Sequence, residues 1–202
     1  MGIPLSACDP SSVASDPRLP NTLETDVEER RITSLNRPVE FSVVARNRAG
    51  DVLPDIVFAW NSTNHLVLRP DGNGVFTPLV DGSATIRVRP DHTVHGSELA
   101  TLMAEIAVTV DQEVVVVEID PGEIVLVEQG AEVQLSAEGL DDAGTPYHRA
   151  HTIGWESDDE AVATVDTEGV VTAVSEGVAT VTATVGGVEG TVQVTVDFGG
   201  ND

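Results

Sequence analysis

The chain has 202 residues, with 41% hydrophobic content but only 3% aromatics, so any core must be built from Val, Ile, Leu and Ala. Thirty-four Asp and Glu face ten basic residues, all Arg, for a formal charge of −24 that argues against nucleic acid or an anionic membrane surface as a direct partner. A single cysteine excludes an internal disulfide, and no apolar run approaches the length needed to span a bilayer.

From the N-terminus, "LSAC" at 5–8 is similar to the bacterial lipoprotein cleavage box, in which the cysteine is acylated. This makes Cys8 a candidate lipid-attachment residue and a membrane contact only through that anchor. Seven residues precede it, without a cationic stretch, so a working signal needs more than this start supplies. Residues 9–25 are rich in Ser, Pro and Asp and aperiodic, and residues 1–25 together are expected to form a flexible tether.

From there the chain repeats itself. Residues 60–88 and 155–183 align without a gap at an offset of 95, sharing Trp60/Trp155, Gly74/Gly169, Gly82/Gly177 and Ala84/Ala179 among others. At an offset of 94, "VEFSVVARNRAG" (39–50) lies against "VQLSAEGLDDAG" (133–144). A period this long means two copies of one module, expected at 26–111 and 113–197, with 198–202 as a tail. Only Asp111-Gln112-Glu113 is left as a linker.

The local pattern is strand. Ala179, Val181, Ala183 and Val185 alternate with Thr, and after Gly186-Gly187, Val192, Val194 and Val196 alternate again, the pattern of a hairpin. Segments 113–119, 124–127, 131–138, 149–156, 161–166 and 169–174 read as further short strands between turn residues. No segment carries a helical period. About seven short strands per module predict an all-β chain of two tandem β-sandwiches, and the single cysteine leaves them without disulfides. The modules differ most at 89–104, where "RPDHTVHGSELATLMA" lengthens the first one's last hairpin.

The second module resembles the bacterial immunoglobulin-like group 2 domain. "VEIDPGEIVLVEQGAEVQLSAEGLDDAG", "IGWESDDEAVATVD", "GVVTAVSEGVATVTAT" and "GTVQVTV" carry the resemblance. With the repeat, it implies an all-β fold of two tandem immunoglobulin-like Greek-key β-sandwiches without disulfides, of the kind found in adhesins, cell-wall proteins and phage structural proteins, used as a spacer or to present a binding surface, with no shared catalytic motif. Trp60 and Trp155 match the family's core tryptophan of a central strand. The first module departs from the family pattern at "LRPDGNG" and at 89–104.

Two classes of function follow as expectations. One is an exported, non-enzymatic stalk, adhesion or binding protein with a protein or glycan partner at a cell surface or in the periplasm. The other is a structural subunit of a phage particle or extracellular filament, with self-assembly through strand edges. The long hairpin is the expected contact surface, with Asp91, His92, His95, Ser97 and Glu98 as candidate binding residues. His92/His95 and His148/His151 are i, i+3 pairs that could share a metal only on a loop, and solvated loop histidines are the plainer reading. Asp141, Asp142, Asp158 and Asp159 are candidate Ca²⁺ ligands without EF-hand spacing, and solvated turn charge is the plainer reading there too. No catalytic residue and no cofactor beyond Ca²⁺ is expected.

Overall fold

Val-, Ile- and Ala-rich segments with a two-residue period have no helical face to bury, and they pair into sheets. The computed structural model describes residues 18–95 and 101–199. The chain divides into two units, one of residues up to Ile32 together with Arg37–Val110, the other of Thr33–Asn36 together with Asp111 onward.

The first unit contains β1 (Thr22–Thr25), β2 (Glu29–Ile32), β3 (Val39–Glu40), β4 (Val43–Arg46), β5 (Phe58–Ser62), β6 (Leu68–Gly72), β7 (Val75–Pro78), β8 (Gly82–Pro90), a single helical turn α1 (His92–His95) and β9 (Ala104–Val110). Its four-stranded sheet has the order β2-β9-β8-β5, with β2 parallel to β9; opposite stand β3-β7-β6 and the pair β1-β4. Thr22–Thr25, expected to belong to a flexible tether, instead form a strand paired with Val43–Arg46.

The second unit contains β10 (Val116–Asp120), β11 (Ile124–Leu126), β12 (Glu132–Gln134), β13 (Ser136–Leu140), β14 (Gly154–Ser157), β15 (Ala163–Val165), β16 (Val170–Ala173), β17 (Gly177–Val185) and β18 (Val188–Val196). Its sheets are β11-β18-β17-β14, β12-β16-β15 and β10-β13, strand for strand the wiring of the first unit, including a parallel β11–β18 pair. Each unit is an Ig-like β-sandwich. The expected strand at 149–156 forms only over Gly154–Ser157.

Alternation decides which side chains enter each core. On β8, Ala84, Ile86 and Val88 are buried; on β17, Ala179, Val181, Ala183 and Val185 are. Each fully buried Val or Ile contributes about 1.5–3 kcal/mol. The tryptophans sit differently from the expected central position. Trp60 and Trp155 stand on β5 and β14, the edges of their sheets, and are half-buried. Each covers a glycine with positive φ, Gly74 (+85°) and Gly169 (+82°). A Cβ at Gly169 would lie 3.0 Å from the Leu135 carbonyl oxygen and from the Trp155 ring, so the turn needs glycine on two counts.

Candidate functional site

The first unit's distinctive feature lies between β8 and β9. Gly82 faces Val110, 28 residues on, whereas Gly177 faces Val196, 19 residues on, so the first hairpin carries nine more residues than the second. Asp91 starts this insertion. Its amide donates to the Val57 carbonyl (2.8 Å), and its Oδ1 accepts from the Thr93 amide (2.9 Å) and the Thr93 hydroxyl (2.6 Å), which caps α1. The His92/His95 pair, expected on a loop, stands in this helical turn. His92 and Val94 are exposed. Ser97 and Glu98, like Cys8, lie outside the described residues.

The strands that carry the insertion belong to the four-stranded sheet. Arg87 and Arg89 occupy exposed alternate positions of β8, paired with Asn61 and Ala59 of β5 on one side. On the other side Arg87 pairs with Glu105 of β9, and its Nε donates to Glu105 Oε1 at 2.8 Å. Ala59, Trp60, Asn61, Arg87, Arg89 and Met103 line a concavity of about 370 Å³. Asn61 Oδ1 meets His65 Nε2 at 2.9 Å, which leaves the Asn61 amino group to point elsewhere. Sequence reasoning missed the arginines. Their signal was "RVRP" at 87–90, two cations on one strand face in a strongly acidic chain.

The acidic turns have other work. Asp141 is 2% exposed. Its Oδ1 accepts from the amides of Ala143 and Thr145 (both 2.9 Å), and its Oδ2 from the Leu35 amide (2.8 Å) and Gln112 Nε2 (3.0 Å). Burial pushes this carboxyl up, but the N–H donors outweigh burial and hold it below the usual range. Both oxygens are thus taken by protein donors, and solvated turn charge, the plainer reading of the sequence, does not describe Asp141. Gln112, expected in the linker, is buried; its amino group also reaches the Pro146 carbonyl (3.0 Å), and its oxygen accepts from the His148 amide (3.1 Å). Asp158 Oδ1 accepts from the Thr180 amide (2.6 Å) and Asp159 Oδ1 from the Ala161 amide (3.0 Å), and both residues are exposed. Asp142 is exposed as well. His148 and His151 lie in irregular chain; His151 Nδ1 meets the Arg149 carbonyl at 2.7 Å, and its ring lies 5.5 Å from that of Tyr147. Among the described residues, no group of three or more His, Cys, Asp or Glu is placed to hold a metal ion, and no helix is long and apolar enough to cross a membrane.

Comparison with known proteins gives one family match: residues 113–196 fit the family model described as bacterial Ig-like domain (group 2). No curated protein matches the chain. Among solved structures, the S-layer protein rSbsC(31-844) is 21% identical over 89% of this chain and 28% of its own, with a TM-score of 0.40. A C-terminal fragment of intimin, solved in complex with the intimin-binding domain of its translocated receptor, is 16% identical over 89% of this chain and 64% of its own, with a TM-score of 0.39. The Escherichia coli adhesin FdeC is 15% identical over 88% of this chain and 65% of its own, with a TM-score of 0.39. The chain thus spans less than a third of the S-layer structure and just under two thirds of the two adhesin structures. Residues 113–196, the second of the chain's two sandwiches, are thus similar to the bacterial Ig-like domain of group 2.

Proposed function

We propose that the chain is an exported, non-enzymatic Ig-like protein that works outside the cell as a stalk and binding module. The group 2 match over 113–196 carries this reading, because that family supplies spacers and binding surfaces to exported proteins. The first unit is a divergent relative of the second with the same strand order. Its nine extra hairpin residues serve no need of the shared scaffold, since the second unit closes the same pair of strands with Gly186-Gly187. The segment 89–104 is therefore the contact surface, for a protein or glycan at a cell surface.

Replacing residues 91–101 with Gly-Gly tests this directly. The wild-type chain is expected to bind members of an array of glycans and purified surface proteins, and the shortened chain to lose that binding while its second unit melts unchanged. Identical binding by the shortened chain would remove the proposed role of the insertion.

A further inference from the structure

The two units provide an internal comparison at one place on the sheet. In the first, Arg89 pairs with Ala59 and Arg87 with Asn61; in the second, Thr184 pairs with Gly154 and Thr182 with Glu156. The same scaffold closes with threonine and glutamate there, so the fold does not require the guanidinium pair. The first unit nevertheless spends two of the chain's ten cations on it. We propose that the concavity lined by Asn61, Arg87, Arg89 and Met103 binds a carboxylate-bearing sugar of a glycan, such as a terminal uronic acid. The proposal builds on the reading of the first unit as the binding end of the molecule.

Geometry and charge select this ligand. Arg87 and Arg89 lie on one strand face, about 7 Å apart along the strand. Glu105 engages the Nε of Arg87, which steadies that side chain and leaves its two terminal nitrogens as donors. Among the described residues no carboxylate is recorded against Arg89, which is exposed. Guanidinium forks suit a planar carboxylate. Residues 1–112 hold 15 acids and nine arginines, net −6, so the surrounding field repels a dense polyanion and tolerates a ligand with one isolated negative charge. The volume of about 370 Å³ falls at the small end of the ligand-site range, near 300–1,000 Å³. That space admits a sugar ring, whereas a lone Asp or Glu side chain reaching in from a peptide would leave most of it unfilled. Asn61 contributes an amide suited to sugar hydroxyls, and Met103, 49% exposed, an apolar wall.

The test is calorimetry and amide chemical-shift mapping on the full chain with a disaccharide ending in glucuronic acid. Its glucose-ended counterpart and the tripeptide Gly-Glu-Gly serve as comparisons. The uronate disaccharide is expected to shift the amides of Asn61, Arg89 and Met103, to bind at least about tenfold more tightly than either comparison, and to weaken as salt is raised. The variant Arg87→Thr/Arg89→Thr, which copies the second unit, is expected to keep its fold and lose the binding. Absence of saturable binding overturns the proposal, as does equal binding of the neutral disaccharide or the tripeptide, or undiminished binding by the double variant. Scoring the 91–101 replacement on the surface array separates the two ideas: if that variant loses array binding while the uronate fails to bind the wild type, the carboxylate site falls and the binding-module reading stands.

Discussion

Asp141→Asn isolates one buried carboxylate against a control that the molecule itself supplies. The equivalent residue of the first unit is Asn47, whose Oδ1 accepts from the Ala49 and Asp51 amides at 2.9 Å each, the same turn that Asp141 Oδ1 makes with Ala143 and Thr145. Asparagine at 141 would keep those two bonds. It would also turn an amino group toward the Leu35 amide and Gln112 Nε2, the two donors now held by Oδ2. Each buried donor left without an acceptor costs about 1–3 kcal/mol, so the substitution is expected to destabilise the second unit by about 2–5 kcal/mol. At roughly 4–8 °C per kcal/mol for a domain of this size, the unit's Tm falls by about 10 °C or more. Urea unfolding gives the free energy, and hydrogen exchange of the β17 and β18 amides assigns it to this unit. Retention of Leu35 amide protection, with a loss under about 0.5 kcal/mol, would mean that the Asp141 carboxylate is not what holds these donors.

The same carboxylate sets a pH dependence. Its folded pKa is depressed below the ordinary 3.8, so its contribution is complete above about pH 4 and drains away as pH falls through the lowered folded value. Acid unfolding of the second unit should therefore flatten in Asp141→Asn, and an unchanged acid limb would contradict this. Gly169→Ala is expected to cost at least about 2 kcal/mol by urea unfolding, because it adds a left-handed penalty to a clash with Leu135 and Trp155. Gly130→Ala, at φ +78° with nothing within 4 Å, should cost only about 1 kcal/mol. Val181→Ala, fully buried, is expected to lose about 2 kcal/mol, and Val178→Thr, 55% exposed on the same strand, less than about 0.5 kcal/mol in the same assay.

The hairpin of β17 and β18 was readable residue by residue, because one alternating pattern with a Gly-Gly turn admits one register, and a slip by one position would expose Val181 and Val194. The repeat predicted the shared strand order for a similar reason: paired glycines such as Gly74 and Gly169 mark the same constrained turn twice. Asp141 was misjudged because its decisive partner, Leu35, is 106 residues away, and spacing within a turn cannot report a donor arriving from there. Residues 149–153, expected as the first part of a strand over 149–156, stay irregular: the chain nearby is held by His148 to Gln112 and by Arg149 to Asp111, which replaces ladder pairing with side-chain anchoring. The helical turn at His92–His95 has too few residues to show a period and depends on the Asp91 cap. Of the candidate site, the inserted hairpin was legible from its length, whereas the arginine face emerged only when β5, β8 and β9 were laid side by side.

Display outside the cell is the claim on which the functional account rests. Intact cells of the source, probed with antibody raised against the folded chain before and after permeabilisation, test it most directly. Full labelling of unpermeabilised cells, lost after brief external protease treatment, is the expected result. Labelling that arises only once the cells are opened would contradict it.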